Sequence, residues 1–171
     1  MRNGQKTLSK ILSYRLVEVM FLMFFSSLSC AASVGAVINI ESNSFEFYPR
    51  EEKVKYEGSV ETNYQGVTLQ AEKLEAYLIH DNTISVLIAY GDPARIRSEG
   101  KASSPELLGT AGKIKHINKS EMLELSDQAT LAYGKSEISS QVIRFNIKTG
   151  SIKAGNAGSR VLMTIKKKEP E

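Results

Sequence analysis

The sequence predicts a single all-β domain assembled from many short strands: a sandwich, a barrel or an open roll. Three observations carry this. Apolar and polar residues alternate with the period of a half-buried strand along most of the chain after residue 36. Turn signals such as Gln65-Gly66, His80-Asp81-Asn82, Asn118-Lys119-Ser120 and Lys148-Thr149-Gly150 punctuate it at short intervals. One strand-turn-strand phrase also occurs twice, at residues 54–74 and 123–143. Sliding the first copy by 69 residues puts Gly58 on Asp127, Val60 on Ala129, Leu69 on Ile138 and Leu74 on Ile143. A repeated hairpin is expected to stack its copies on one shared apolar face.

The elements follow in order. Residues 37–41 are short and alternating, and 44–48 alternate until Pro49 stops them. Residues 53–62 and 67–79 form the first repeat. The segment 72–78 has some helical period, but it lies between two strand runs and aligns with 142–145, so it reads as strand. Residues 84–90 run into Gly91-Asp92-Pro93, and 94–97 follow. The stretch 98–106, with Gly100 and Pro105, reads as the most mobile loop. Alternation resumes over 107–117 and passes into the second repeat. Residues 143–147 and 151–154 flank a hairpin turn, and a link with Gly155 and Gly158 leads to 161–165.

Composition bounds the rest. The chain's 171 residues suit one domain, and 24% charged with 42% hydrophobic residues mark it as globular. The net charge of +3 resides in the first 31 residues, where Arg2, Lys6, Lys10 and Arg15 face only Glu18. The remainder is balanced, with no basic excess to draw nucleic acid. That leading segment reads as a secretory signal: basic residues, the apolar run 19–25, then small residues, with cleavage expected after Ala31. A retained anchor is the alternative, although the apolar run falls well short of the roughly 20 residues that span a bilayer. Acylation of Cys30 is disfavoured by Ser27, which stands where a lipobox carries an aliphatic residue. Cys30 is the only cysteine, so no disulfide braces the domain, and sheet pairing and an apolar face must stabilise it. The domain is expected to span residues 37–166, with a polar tail at 167–171.

Catalytic chemistry is thin. His80 and His116 stand alone, without a Cys or paired carboxylate at ligand spacing. His80 reads as a solvated turn residue and His116 as a wall residue of its strand. Ser103-Ser104 and Ser139-Ser140 lack a nucleophile elbow, and no phosphate-binding glycine loop is present. Glu51-Glu52 beside Lys53 reads as a solvated cluster. The expectation is a non-enzyme without metal or cofactor. The remaining signal is the apolar parity. It begins with Ile38, Ile40, Phe45, Phe47, Val54, Tyr56, Val60 and Leu69, and continues through Ile88, Tyr90, Ile96, Ile114, Leu125, Leu131, Ile138 and Phe145. Periodicity alone fits an ordinary packed core better than a lipid groove. Two features favour a trough: no helix is available to cover a sheet face, and apolar residues recur from both ends of the chain.

Several ordered phrases resemble the OstA-like (LptA) family of lipopolysaccharide-transport proteins. They are Ile38-Asn39-Ile40-Glu41-Ser42, Tyr56-Glu57-Gly58-Ser59-Val60, Gln65-Gly66-Val67, Ala71-Glu72-Lys73-Leu74, Gly91-Asp92-Pro93-Ala94 and Arg160-Val161. The resemblance implies an open β-jellyroll of consecutive antiparallel strands with an apolar interior groove. It also implies a periplasmic carrier of lipopolysaccharide, working between an inner-membrane LptC-like protein and an outer-membrane LptD-like protein, and assembling head to tail with itself. An LptC-like anchored component is the neighbouring alternative, and a structural β-domain without ligand is the more distant one. The family's lipid-facing isoleucines fall on Ile38 and Ile40, and an aromatic position falls on Ile96. Arg95, Arg97 and Lys101 are candidate phosphate contacts, with plain surface charge as the blander reading. An open roll would leave edges near Ile38 and Ile40 and near Val161 and Met163, and proline at Asn39 or Met163 is expected to block strand addition there.

Overall fold

The computed structural model describes residues 38–64, 66–79, 83–100, 105–156 and 158–166. The expected signal with Cys30, the residues His80, Lys101, Ser103 and Ser104, and the tail lie outside the described residues. Among the described residues, ten strands form one antiparallel sheet: β1 (Asn39–Glu41), β2 (Ser44–Tyr48), β3 (Lys53–Tyr64), β4 (Val67–Ile79), β5 (Thr83–Ser98), β6 (Leu107–Ile117), β7 (Met122–Tyr133), β8 (Ser136–Asn146), β9 (Ile152–Ala154) and β10 (Leu162–Ile165). Neighbours in sequence are neighbours in the sheet from β3 to β8. At one end β1 and β2 both pair with β3, and at the other β9 and β10 both pair with β8.

The long strands are creased. Every ladder from β3 to β8 shifts register at one level: near Glu57/Val60, Gln70/Lys73, Tyr90/Ala94, Thr110/Lys113 and Ser126/Ala129. Bulges bend strands and sharpen their twist, and a row of them folds the sheet. The Tyr133 and Phe145 rings show how far. Tyr133 pairs with Ser136, which on a straight β8 would lie about 30 Å from Phe145. The two ring centroids are instead 5.1 Å apart. The sheet is therefore doubled into two leaves whose inner faces meet. Along the crease the inner positions are Val60 on β3 and then Ala71, Ala94, Ala111, Ala129 and Ser140, mostly small side chains because the leaves converge there.

The 69-residue repeat extends further than its sequence signal. Residues 38–48 map onto 107–117, so β1 and β2 together are the counterpart of β6. β3 maps onto the whole of β7, and the 3-10 turn Pro49–Glu51 maps onto the turn Asn118–Ser120. Each turn is followed by a left-handed glutamate, Glu52 and Glu121. Strand registers agree pair for pair: Ile40↔Thr62 becomes Gly109↔Leu131, and Phe45↔Tyr56 becomes Ile114↔Leu125. The crease itself repeats, since Gly58-Ser59 and Asp127-Gln128 are both pairs with positive φ.

One close approach is reciprocal between the halves. A Cβ on Gly58 would lie 2.6 Å from the Asn43 side-chain nitrogen, whereas a Cβ on Gly112 would lie 2.9 Å from the Asp127 Cβ. Asn43 maps onto Gly112 and Gly58 onto Asp127, so each half pairs one side chain with one glycine and reverses which strand carries it. Gly112→Ala is therefore expected to cost about 1–3 kcal/mol by overpacking. Adding Asp127→Gly removes the clashing Cβ and suits that residue's φ of +67°, so the double variant should recover most of the loss in urea unfolding. If Asp127→Gly gives no recovery, the contact is not the cause.

Candidate functional site

The inner face is apolar because alternation puts one side-chain set between the leaves. In the first leaf one row crosses Ile40, Thr62, Leu69, Ile96, Gly109, Leu131, Ile138 and Met163. In the second, a row runs from Phe45 through Tyr56, Leu74, Ala89, Ile114, Leu125 and Ile143 to Ala154. A parallel row runs from Phe47 through Val54, Ala76, Leu87, His116, Leu123 and Phe145 to Ile152. The centre is tightly filled: Leu74, Leu123, Leu125, Leu131 and Ile143 are fully buried. Exposed large apolar side chains gather where the rows reach the edges, at Ile38, Phe45 and Phe47 on one side and at Val161, Leu162, Met163 and Ile165 on the other.

Most of the expected wall residues are brought together. Ile40, Tyr56, Val60, Leu69, Ile96, Ile114, Leu125, Leu131, Ile138 and Phe145 share one cluster. Val54 is buried on the same face, and the Phe45 ring sits 5.4 Å from that of Tyr56. Ile88 is not among them. It pairs with Glu75 and Lys115 on the outer face, while its neighbours Leu87 and Ala89 pack inward. Tyr90 is also outside, with the Lys73 Nζ 4.3 Å and the Lys113 Nζ 5.6 Å from its ring centroid. The cause is the crease between Tyr90 and Ala94, which flips the phase of β5, so Ile96 faces in and Ile88 faces out. Arg95 and Arg97 flank Ile96 and are exposed on the outer face of β5 in mid-sheet, and the Arg97 Nη2 lies 3.1 Å from the Glu106 Oε1. They stand apart from the inner face, as plain surface charge would.

Alternation also passed over the crease alanines and Leu74 and Ile143, whose phase likewise changes across a bulge. His116 is a wall residue, paired with Leu87 and Leu123. Its Nε2 is buried without a hydrogen-bond partner among the described residues. Burial pushes this imidazole below the usual histidine range against the opposing pull of Glu121, and the neutral ring suits an apolar wall.

The outer face carries the charge, in pairs such as Arg144 with Glu124 at 2.6 Å, Lys73 with Glu75 at 3.2 Å and Lys55 with Glu57 at 2.7 Å. The Tyr48 hydroxyl, and then Lys55, hold the Glu46 carboxyl below its ordinary range. At the carboxyl-terminal edge the final strand is broken at the crease. β9 pairs with 143–145 and β10 with 136–139, so among the described residues Ser140 and Gln141 have no strand partner on that side. A cleft of about 940 Å³ opens there beside Gln128, Ala129, Arg160 and Val161. Among the described residues no cluster of three metal-ligating side chains occurs, and no helix is long and apolar enough to cross a membrane.

Comparison with known proteins agrees with this architecture. No curated protein sequence matches. Among solved structures, the fold is similar to the crystal structure of LptH, the LptA-homologous periplasmic component of the conserved lipopolysaccharide transport device from Pseudomonas aeruginosa. The TM-score is 0.70 at 17% identity, over 77% of this chain and 96% of that one. The family described as LptA/(LptD N-terminal domain) LPS transport protein matches residues 39–151, which is more than half of the chain. With consecutive antiparallel strands, a doubled open sheet and this match together, the chain belongs to the LptA/LptD N-terminal domain family of lipopolysaccharide transport proteins.

Proposed function

We propose that this chain is a non-enzymatic periplasmic carrier that holds lipopolysaccharide acyl chains against its apolar inner face. It receives the lipid from an inner-membrane LptC-like partner and passes it toward an outer-membrane LptD-like partner, through copies of itself joined head to tail. The observation that carries this reading is the apolar inner face that runs from one exposed edge, at Phe45 and Phe47, to the other, at Met163 and Ile165. Each methylene withdrawn from water gains about 0.8 kcal/mol, so several acyl chains need a surface of this extent. Phosphorylated sugars need no burial and stay in solvent. No nucleotide-binding loop is present in the sequence, so the energy for directed movement comes from a partner.

The edges support assembly. Two open edges with apolar side chains invite strand addition, and head-to-tail addition does not close, so it builds a chain of grooves. The edges also differ in charge. Residues 38–57 carry five acidic and three basic side chains, whereas 147–166 carry four basic and no acidic ones.

The test is photo-crosslinking in cells that make lipopolysaccharide, with a light-activated residue at Ile40 and a control at outward-facing Asn39. A lipopolysaccharide adduct at Ile40 alone is expected. If neither Ile40 nor Ile96 gives an adduct, the inner face is a closed core and the chain is a scaffold.

A further inference from the structure

The repeat places a finished version of the open edges inside the molecule. β6 is the counterpart of β1 and β2, and its partner β5 occupies, beside β4, the position that β10 and β9 occupy beside β8. In the first leaf Leu69 pairs with Ile96 and its counterpart Ile138 pairs with Met163. In the second leaf Leu74 pairs with Ala89 and its counterpart Ile143 pairs with Ala154. The internal β5·β6 joint therefore has the same two sides as the two edges of the sheet. Burial shows what a neighbouring strand does at these positions. Ile38 is 41% exposed and its counterpart Leu107 is 6% exposed, while Phe45 is 59% exposed and Ile114 is 2% exposed.

Resting on the head-to-tail reading above, we infer that two copies of this chain join in the register of the β5·β6 ladder. Ile96↔Gly109, Arg97↔Leu108 and Ala89↔Ile114 are pairs of that ladder. Transferred to the edges, they set Met163 of one copy opposite Ile40 of the next, Thr164 opposite Asn39 and Ala154 opposite Phe45. On the outer face Ile88↔Lys115 becomes Lys153 opposite Glu46, a basic side chain against an acidic one. The structural unit of such an assembly is the 69-residue half, two per chain, and not the whole chain.

The hydrogen bonds supply an independent check. In an antiparallel ladder, consecutive residues turn their peptide groups alternately to one neighbour and the other. The Lys166 N–H donates to the Lys135 carbonyl at 2.9 Å, so Leu162 and Thr164 bond β8, and Met163 and Ile165 turn outward. The Glu99 N–H donates to the Gly66 carbonyl at 3.2 Å. Following the alternation back through β4 and β3 leaves the Ile40 peptide outward as well. In the second leaf, the Gly155 N–H donates to the Val142 carbonyl at 2.9 Å, so Ala154 is turned outward. Met163 and Ile40 thus face one another as a hydrogen-bonded pair. A slip of one residue would set outward peptides against inward ones. Slips of two residues satisfy the alternation, and the repeat selects among them.

Cysteine pairs test the register in the full chain carrying Cys30→Ser. Asn39→Cys with Thr164→Cys puts both thiols on the outer face at a pair that exchanges no hydrogen bonds, where the α-carbons are closest. Oxidation should yield a ladder of disulfide-linked multimers on a non-reducing gel. Glu41→Cys with Thr164→Cys, and Asn39→Cys with Leu162→Cys, represent two-residue slips. They place the α-carbons beyond the roughly 7 Å that a disulfide tolerates, so these should form less than a tenth as much. Arg97→Cys with Leu108→Cys should close within one chain and serves as the internal standard. If a slipped pair cross-links better, the register is wrong while head-to-tail joining stands. If the 39/164 pair gives a cross-linked monomer, the chain closes on itself. If no pair links while the standard does, head-to-tail joining itself fails.

Discussion

Leu125→Ala is expected to remove about 3–5 kcal/mol of folding stability, the upper part of the range for a buried leucine. Leu125 is fully buried in the second leaf, between Ile114 and Ile143. Its Cδ2 reaches across the interior to within 2.8 Å of where a Cβ on Gly109 would stand, on the opposing leaf. The leucine thus fills a space that Gly109 leaves empty, and no side chain on that strand position can swing in to close the void. A domain of this size has about 5–15 kcal/mol in total, so the loss is a large fraction of it. The measurement is the urea midpoint at unchanged m. A loss below about 1.5 kcal/mol would mean that the leaves move together to fill the gap, and that the interior yields more readily than its packing suggests.

If copies join head to tail as proposed, Met163→Pro is expected to abolish that joining while leaving the monomer folded. Proline lacks an N–H and is tolerated where that group faces solvent on an edge strand. The Met163 peptide faces outward by the alternation that starts from the Lys166–Lys135 bond, so the β8·β10 ladder loses nothing directly. A second chain, in contrast, loses a donor and meets the pyrrolidine ring. Size-exclusion chromatography with light scattering should show oligomers for the native chain and monomer for this variant at the same concentration, with similar unfolding midpoints. Oligomers of native size from Met163→Pro would rule out this edge as the joint. Ile40→Pro is the matching variant on the other edge. Asn39, a natural first choice from the sequence, is the wrong position, because its peptide faces β3 and proline there would loosen β1 itself.

These two positions mark the divide between what each level of description supplies. The sequence by itself determined the all-β class, the succession of strands, the repeat of 69 residues and the apolar alternation of the wall. It did so because strand period, turn residues and repeated phrases are local properties, readable without knowing what they pack against. It also carried, in six short phrases, the family likeness that the comparison bears out.

Phase across the crease was decided only by the tertiary structure. Alternation carries a side chain's direction as far as the next bulge, and each extra residue there can reverse it. Ile88 and Tyr90 read as wall residues on that account and stand outside, while Leu74, Ile143 and the crease alanines face in. Arg95 and Arg97 follow from the same reversal. The repeat, too, was legible only where side-chain character agrees. Phe47 and His116 look unrelated in sequence, yet they hold the same backbone position. Which edge peptides point outward is likewise invisible in the sequence, because hydrogen-bond direction depends on the pairing of every strand between the two edges.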